Sequence, residues 1–210
     1  MNNNRCPYDT QMQPNSYVRL FHASPDAPGV DVYVNNRLSA RNLVYKQMTD
    51  YLTVPTGTYN VKVYPTGQRI NAVINTDLLV PPNSALTVAA TGKLSEITPM
   101  VIEEEYMPQI NGNKAYVRFV HLSPNAPAVD ITLPDGTMLF ENVSYGDYTD
   151  YLEVAPGTYT LQVKPAGVDQ VVLSVPNVQL SAGTVYSVYA VGLVGDEPPL
   201  EAVIVVDSMY

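Results

Sequence analysis

Tryptophan is absent and cysteine occurs once, at Cys6. A lone thiol cannot close an intrachain disulfide, so the fold must rest on its hydrophobic core, and Cys-rich metal spacings are excluded as well. Cys6 lies in a polar amino-terminal stretch, where it reads either as incidental or as a point of intermolecular disulfide cross-linking. Positive charge is also scarce: 11 Lys and Arg stand against 20 Asp and Glu, a net charge of −9. A phosphate backbone repels such a chain, which argues against nucleic-acid binding, and anionic membrane surfaces are disfavoured on the same ground. No run approaches the about 18 consecutive apolar residues of a spanning helix, so no membrane insertion is expected. The most apolar stretch, 185–194, is broken by Ser187 and Gly192 and reads as a buried strand. The start, Met-Asn-Asn-Asn-Arg-Cys-Pro-Tyr, lacks the apolar region of an export signal.

What is present points to β structure. Hydrophobic residues make up 46% of the 210 residues, enough for a core, while charged residues reach only 15%. The surface is therefore covered by Asn, Thr, Ser, Gln and Tyr, as in many surface and extracellular β proteins. The 16 Tyr suit strands, each offering an apolar ring with a hydrated tip. The 18 Pro and 12 Gly punctuate the chain too often for long helices, and no amphipathic helical period appears.

The chain is a duplication. Tyr17-Val-Arg-Leu-Phe-His-Ala-Ser-Pro-Asp-Ala-Pro-Gly-Val-Asp31 recurs as Tyr116-Val-Arg-Phe-Val-His-Leu-Ser-Pro-Asn-Ala-Pro-Ala-Val-Asp130, with ten of fifteen positions identical at an offset of 99. Thr49-Asp-Tyr-Leu-Thr-Val-Pro-Thr-Gly-Thr-Tyr59 recurs as Thr149-Asp-Tyr-Leu-Glu-Val-Ala-Pro-Gly-Thr-Tyr159, with eight of eleven identical at an offset of 100. The extra residue falls where Asn35-Asn36-Arg37 faces Pro134-Asp135-Gly136, both reading as hairpin turns. A period of this length is a domain with its own core rather than a solenoid unit. Val61 and Val63 alternate with Asn60 and Lys62, and Leu161 and Val163 with Gln162 and Lys164, which marks half-buried antiparallel strands. In the first copy, strands are expected near 17–22, 30–34, 42–45, 50–54, 58–64, 70–80, 85–91 and 97–104. The expected fold is all-β, with two tandem antiparallel β-sandwich domains. The expected organisation is a polar tail at 1–15, repeat 1 at 16–105, a linker at 106–114 and repeat 2 at 115–210. The copies differ in charge: residues 1–110 hold 8 Lys+Arg and 9 Asp+Glu, and residues 111–210 hold 3 and 11.

Two motifs are candidates for a site. His-x-Ser-Pro-x-Ala-Pro-x-Val-Asp, at 22–31 and 121–130, reads first as a rigid corner. Pro25 and Pro28 fix φ, Ser24 and Asp26 cap nearby amides, and His22 satisfies a backbone group or Asp31. A hydrolase triad of His22, Ser24 and Asp31 is the chemical alternative, but no nucleophile elbow or oxyanion loop accompanies it. His22 with Asp31, or His121 with Asp130, supplies two ligands where zinc takes three or four, so no metal or other cofactor is expected. In the second motif, Gly57 and Gly157 give turn flexibility. Tyr59 and Tyr159 follow as in a tyrosine corner, with Tyr51 and Tyr151 expected to pack beside them. These four tyrosines are also the candidates for a sugar-stacking platform.

These two blocks resemble the bacterial and archaeal domain-of-unknown-function family 4397, twice over and across essentially 16–206. The resemblance implies Ig-like or transthyretin-like β-sandwiches, often in tandem and on secreted or cell-surface proteins. It implies no catalytic assignment. The functional expectation is a non-enzymatic surface-associated structural or adhesion protein: an envelope, spore-coat or self-assembling subunit. Its location would be extracellular, cell-surface or spore-surface, with a cytoplasmic one left open by the missing export signal. The alternative is a carbohydrate- or peptide-binding module using loops at one end of the sandwich. The partners expected are protein, including self-association through the amino-terminal tail, or a surface glycan.

Overall fold

The computed structural model describes residues 15–104 and 110–207. Cys6, residues 1–14 of the tail to which self-association was assigned and residues 106–109 of the expected linker lie outside these residues, while Asn15 opens the first strand. The first repeat runs β1 (Asn15–His22), β2 (Val30–Val34), β3 (Arg37–Leu43), β4 (Leu52–Pro55), β5 (Gly57–Pro65), β6 (Ile74–Val80), β7 (Ala85–Thr91) and β8 (Thr98–Glu104). The second repeats it as β9 (Ala115–His121), β10 (Val129–Thr132), β11 (Met138–Val143), β12 (Leu152–Val154), β13 (Gly157–Pro165), β14 (Leu173–Leu180), β15 (Val185–Val191) and β16 (Glu201–Asp207).

Each repeat is a sandwich of two four-stranded sheets. One has the order β3-β2-β5-β6, or β11-β10-β13-β14, and the other β4-β1-β7-β8, or β12-β9-β15-β16. The first kind is antiparallel throughout. In the second kind, the central pairs β1·β7 and β9·β15 run parallel. This refines the expectation of wholly antiparallel pairing. β1 and β7 are not joined by a hairpin, because the whole other sheet lies between them in the chain, so nothing forces them to oppose.

The expected alternation holds in β5, where Val61 and Val63 are buried and Asn60 and Lys62 are half-exposed. They meet Val18, Leu20, Val30, Val32, Leu86 and Val88 in the core of the first repeat. The mixed sheet differs: every residue of β9 and of β15 is buried. One face of these strands, with Val117, Phe119 and Val188, fills the second repeat's own core. The other face, with Phe21, Ala89 and Ile102 from repeat 1 and Val120, Tyr189 and Val191 from repeat 2, forms a third core between the repeats. The mixed sheets are therefore inner layers, buried on both sides, and the antiparallel sheets are outer layers.

One strand was misplaced by the sequence reading. Residues 42–45 were expected as the third strand, which instead covers Arg37–Leu43. It is an edge strand with bulged pairing to β2 and few buried residues, so its apolar period is broken. Asn42, at the bulge, has φ of 49°. The β2–β3 hairpin turns at Asn35 and Asn36, with φ of 47° and 64°, as a turn with two left-handed residues requires. Among the described residues, no helix is long and apolar enough to cross a membrane.

Candidate functional site

The His-x-Ser-Pro corner carries the chain from the inner sheet to the outer one. Its polar side chains all turn to backbone. The His22 ring donates from Nε2 to the Pro28 carbonyl at 3.0 Å, and His121 donates to Pro127 at 3.1 Å. The amide of Ser123 donates to His121 Nδ1 at 3.3 Å, which agrees with a neutral ring protonated on Nε2. His22 Nδ1 is buried without a hydrogen-bond partner. Burial holds both imidazoles below the ordinary histidine value, against the opposing pull of the carbonyls they face.

Ser24 donates to the Gly92 carbonyl at 2.6 Å and Ser123 to that of Gly192 at 2.7 Å. Both glycines have left-handed φ, 90° and 86°, and a Cβ on Gly192 would fall 2.0 Å from the Pro199 oxygen. Asp31 accepts from the amides of Asn42 at 2.8 Å and Gly67 at 3.0 Å, and Asp130 accepts at the same distances from Asn142 and Gly167. These amide contacts, that of Gly67 foremost, hold the Asp31 carboxyl below its ordinary value. Thus His22, Ser24 and Asp31 serve three different backbone sites and do not bond one another. Among the described residues, no three His, Cys, Asp or Glu side chains are grouped to hold a metal.

The four candidate tyrosines divide. Tyr59 and Tyr159 donate to the carbonyls of Pro55 and Ala155, each at 2.7 Å, and pack against the cores of their own repeats. Tyr51 and Tyr151 instead turn to the face between the repeats. Tyr51 donates to Glu104 at 2.5 Å and Tyr151 to Asp207 at 2.6 Å, and burial raises both phenols far above the ordinary tyrosine value.

That face holds a buried polar cluster built twice. In repeat 1, Arg19 Nε donates to Thr87 Oγ1 at 2.7 Å, and Thr87 donates to Glu104 at 2.8 Å. In repeat 2, Arg118 Nε donates to Ser187 Oγ at 2.7 Å, and Ser187 donates to Asp207 at 2.5 Å. Each guanidinium lies 4.6 Å from a tyrosine ring centre, Tyr51 or Tyr151. The two halves then cross. Arg19 pairs with Asp207 as well as with Glu104 at 3.2 Å, and Arg118 donates to the Glu103 carbonyl at 2.7 Å.

Two cations and two carboxylates are thereby enclosed together. Burial opposes the Arg19 charge, but Tyr189, Asp207 and Glu104 outweigh it and raise its pKa. Burial also raises the Glu104 carboxyl, against the pull of Arg19. Neither arginine was among the sequence candidates. The available signal was an Arg at one position of both copies, inside a strand otherwise apolar on both faces.

At the rim, Lys46 pairs with Glu201 at 2.9 Å and Lys93 with Asp196 at 3.7 Å. Thr91, at the end of β7, donates to the Leu122 carbonyl just beyond β9. These contacts set the corner ends of the two sandwiches on one side of the molecule. Ile70, Leu94, Val168, Val171, Val172 and Val194 are exposed in the connections at that end.

The geometry defines a class: a tandem β-sandwich protein whose repeats join back to back through a sealed polar face. The chain belongs to the family described as "Domain of unknown function (DUF4397)", whose model matches residues 16–132 and again 115–209. No curated protein matches it. Among solved structures, it is similar to the C-terminal domain of AlgF from P. aeruginosa. The identity is 25% and the TM-score 0.36, over 45% of this chain and 99% of that one. It is also similar to CBMbc, a family CBM26 module from Eubacterium rectale Amy13K solved with maltoheptaose. There the identity is 9% and the TM-score 0.29, over 92% of this chain and 97% of that one. A third is the Bacillus anthracis TIE protein, at 12% identity and a TM-score of 0.28, over 90% of this chain and 34% of that one.

Proposed function

We propose that this protein is a non-enzymatic structural or adhesion component of a cell, envelope or spore surface, acting as a stiff two-repeat block. The observation that supports the reading is how the polar residues shared by the two copies are used. His22, Ser24 and Asp31, with their counterparts His121, Ser123 and Asp130, serve the backbone of their own repeats. Arg19 and Arg118 are occupied between the repeats, and Tyr51 and Tyr151 bond the carboxylates of their own repeats in the same cluster. What is kept is thus scaffold. The low charge and abundant tyrosine of the chain suit a surface role. The test is location: immunogold labelling of intact and permeabilised cells and spores. Labelling of intact surfaces is expected; signal confined to permeabilised cytoplasm would refute the reading.

A binding role is favoured by one observation, the exposed apolar residues at the shared corner end of the two sandwiches. In that reading a carbohydrate or peptide docks across the tips of both repeats. Glycan and peptide arrays with the purified chain test it, with Ile70→Ser and Val171→Ser variants expected to lose any hit. Silence across both arrays counts against it.

A further inference from the structure

Two repeats of the same strand order placed back to back raise a question of partner choice. The buried clusters of the two copies are equivalent, so on that ground alone a first repeat would accept another first repeat as readily as a second. The rim and the apolar part of the face are not equivalent. Among the described residues, the ion pairs between the repeats, Arg19–Asp207, Lys46–Glu201 and Lys93–Asp196, all take the cation from repeat 1 and the anion from repeat 2. Strand register shows what stands at the matching places. β7 pairs Thr91 with Thr98 where β15 pairs Val191 with Glu201, so repeat 1 carries Thr98 in place of the anion. Repeat 2 carries Gly146 and Leu193 where repeat 1 has Lys46 and Lys93.

The shared core is unequal too. Tyr189 is buried there with its ring centre 5.0 Å from that of Phe21, and their counterparts in the other repeat are Ala89 and Val120. A pair of second repeats would bring two Tyr189 rings to a core that holds one. A pair of first repeats would put Ala89 and a second Phe21 where Tyr189 and Val120 now pack, and would set Lys46 against Thr98.

We infer that the inner-sheet face of each repeat is a selective docking surface for the unlike repeat. A first repeat takes a second and excludes a copy of itself. Lys46, Phe21 and Ala89 on one side, with Glu201, Val120 and Tyr189 on the other, set the choice. The rim pairs are partly exposed and add little attraction; their part is to penalise the wrong pairing. This selectivity is independent of what the protein binds. It makes the unequal charge of the copies a means of closing the chain on itself, leaving the inner face unavailable for head-to-tail stacking of like repeats.

The test starts from the full chain with a protease site inserted between residues 107 and 108. Isotopically heavy and light samples are cut, mixed in mild urea to exchange halves, diluted and weighed by native mass spectrometry. Unlike complexes are expected to outnumber like ones at least about tenfold. Random pairing, in which half the complexes are like, overturns the inference, as does separation of the halves at micromolar concentration. If the cut protein does not exchange, the intact chain decides. Lys46→Glu lowers Tm, and adding Glu201→Lys brings it back. A Tm that does not recover overturns the assignment of these residues.

Discussion

Replacing Arg19 by Met keeps the stem of the side chain and removes its charge. Arg19 meets two carboxylates, Glu104 at 3.2 Å and Asp207, and bonds Thr87 at 2.7 Å, all with about 4% of its side chain exposed. In the variant two buried carboxylates share one cation, Arg118, which is 3.7 Å from Asp207. Breaking a buried pair by removing one partner costs about 3–5 kcal/mol. For a chain of this size that is a fall in Tm of about 6–20 °C. The loss depends on pH. Burial already raises the Glu104 carboxyl, and Arg19 is the main influence pulling it down, so it rises further without that charge. A carboxyl with a raised folded pKa contributes stability below its unfolded value of about 4.5, and that stability is lost as pH rises through the folded value. The gap between Arg19→Met and the parent protein therefore widens from pH 5 to pH 8. Urea titrations across that range measure it, and adding Glu104→Gln should recover much of the loss at pH 8. A cost below about 1 kcal/mol, or a gap equal at pH 5 and pH 8, would show that the cluster is not a coupled buried unit.

The two corner histidines are buried with depressed pKa, so they favour the folded state above pH 6.5 and disfavour it as pH falls through that value. In a Glu104→Gln background, where the opposing carboxyl is silent, stability falls with pH below 6.5, with a slope of at most about 2.7 kcal/mol per pH unit for two sites. His121→Gln makes the slope shallower in urea titrations. Asp31→Asn and Asp130→Asn each leave one turn amide without its acceptor. Calorimetry should show matching losses of about 1–3 kcal/mol, because the two sites share their distances. Between the sheets of the first repeat lies a void of about 30 Å³ bordered by Leu20, whose counterpart is Phe119. Leu20→Phe is expected to add about 0.7 kcal/mol, read as a rise in Tm of a few degrees.

The duplication and the sandwich were legible because turns and half-buried strands leave local marks. Gly-Thr-Tyr follows a tight connection in both copies, and Val61 and Val63 face a core while Asn60 and Lys62 do not. The corner was legible for the same reason, since Pro25, Pro28 and their neighbours act within a few residues of the chain. The inner sheets were less so. A strand buried on both faces loses its period of two, so 185–191 looked like an apolar run with Ser187 as an interruption. Ser187 is in fact the hydroxyl that joins Arg118 to Asp207. Tyr51 was assigned to its neighbour Tyr59, when its partner Glu104 lies 53 residues away. No local pattern encodes such a distance, and the pairing of the repeats rests on contacts of this kind.

The parallel pairing of β1 with β7 also sets an order of assembly. Tyr17 is matched with Ala85 and His22 with Ala90, so this pair closes a loop that contains the whole outer sheet. The outer strands meet across much shorter stretches, β5 and β6 being neighbours in the chain. Because the entropy of closing a loop must be met before its contacts form, short-range pairs lead and long-range pairs follow. Pulse-labelled hydrogen exchange during refolding should find the amides of β5 and β6 protected before those of β1 and β7. The face that joins the repeats lies on the late sheet, so on the ribosome the first repeat presents its docking side only once β7 has emerged.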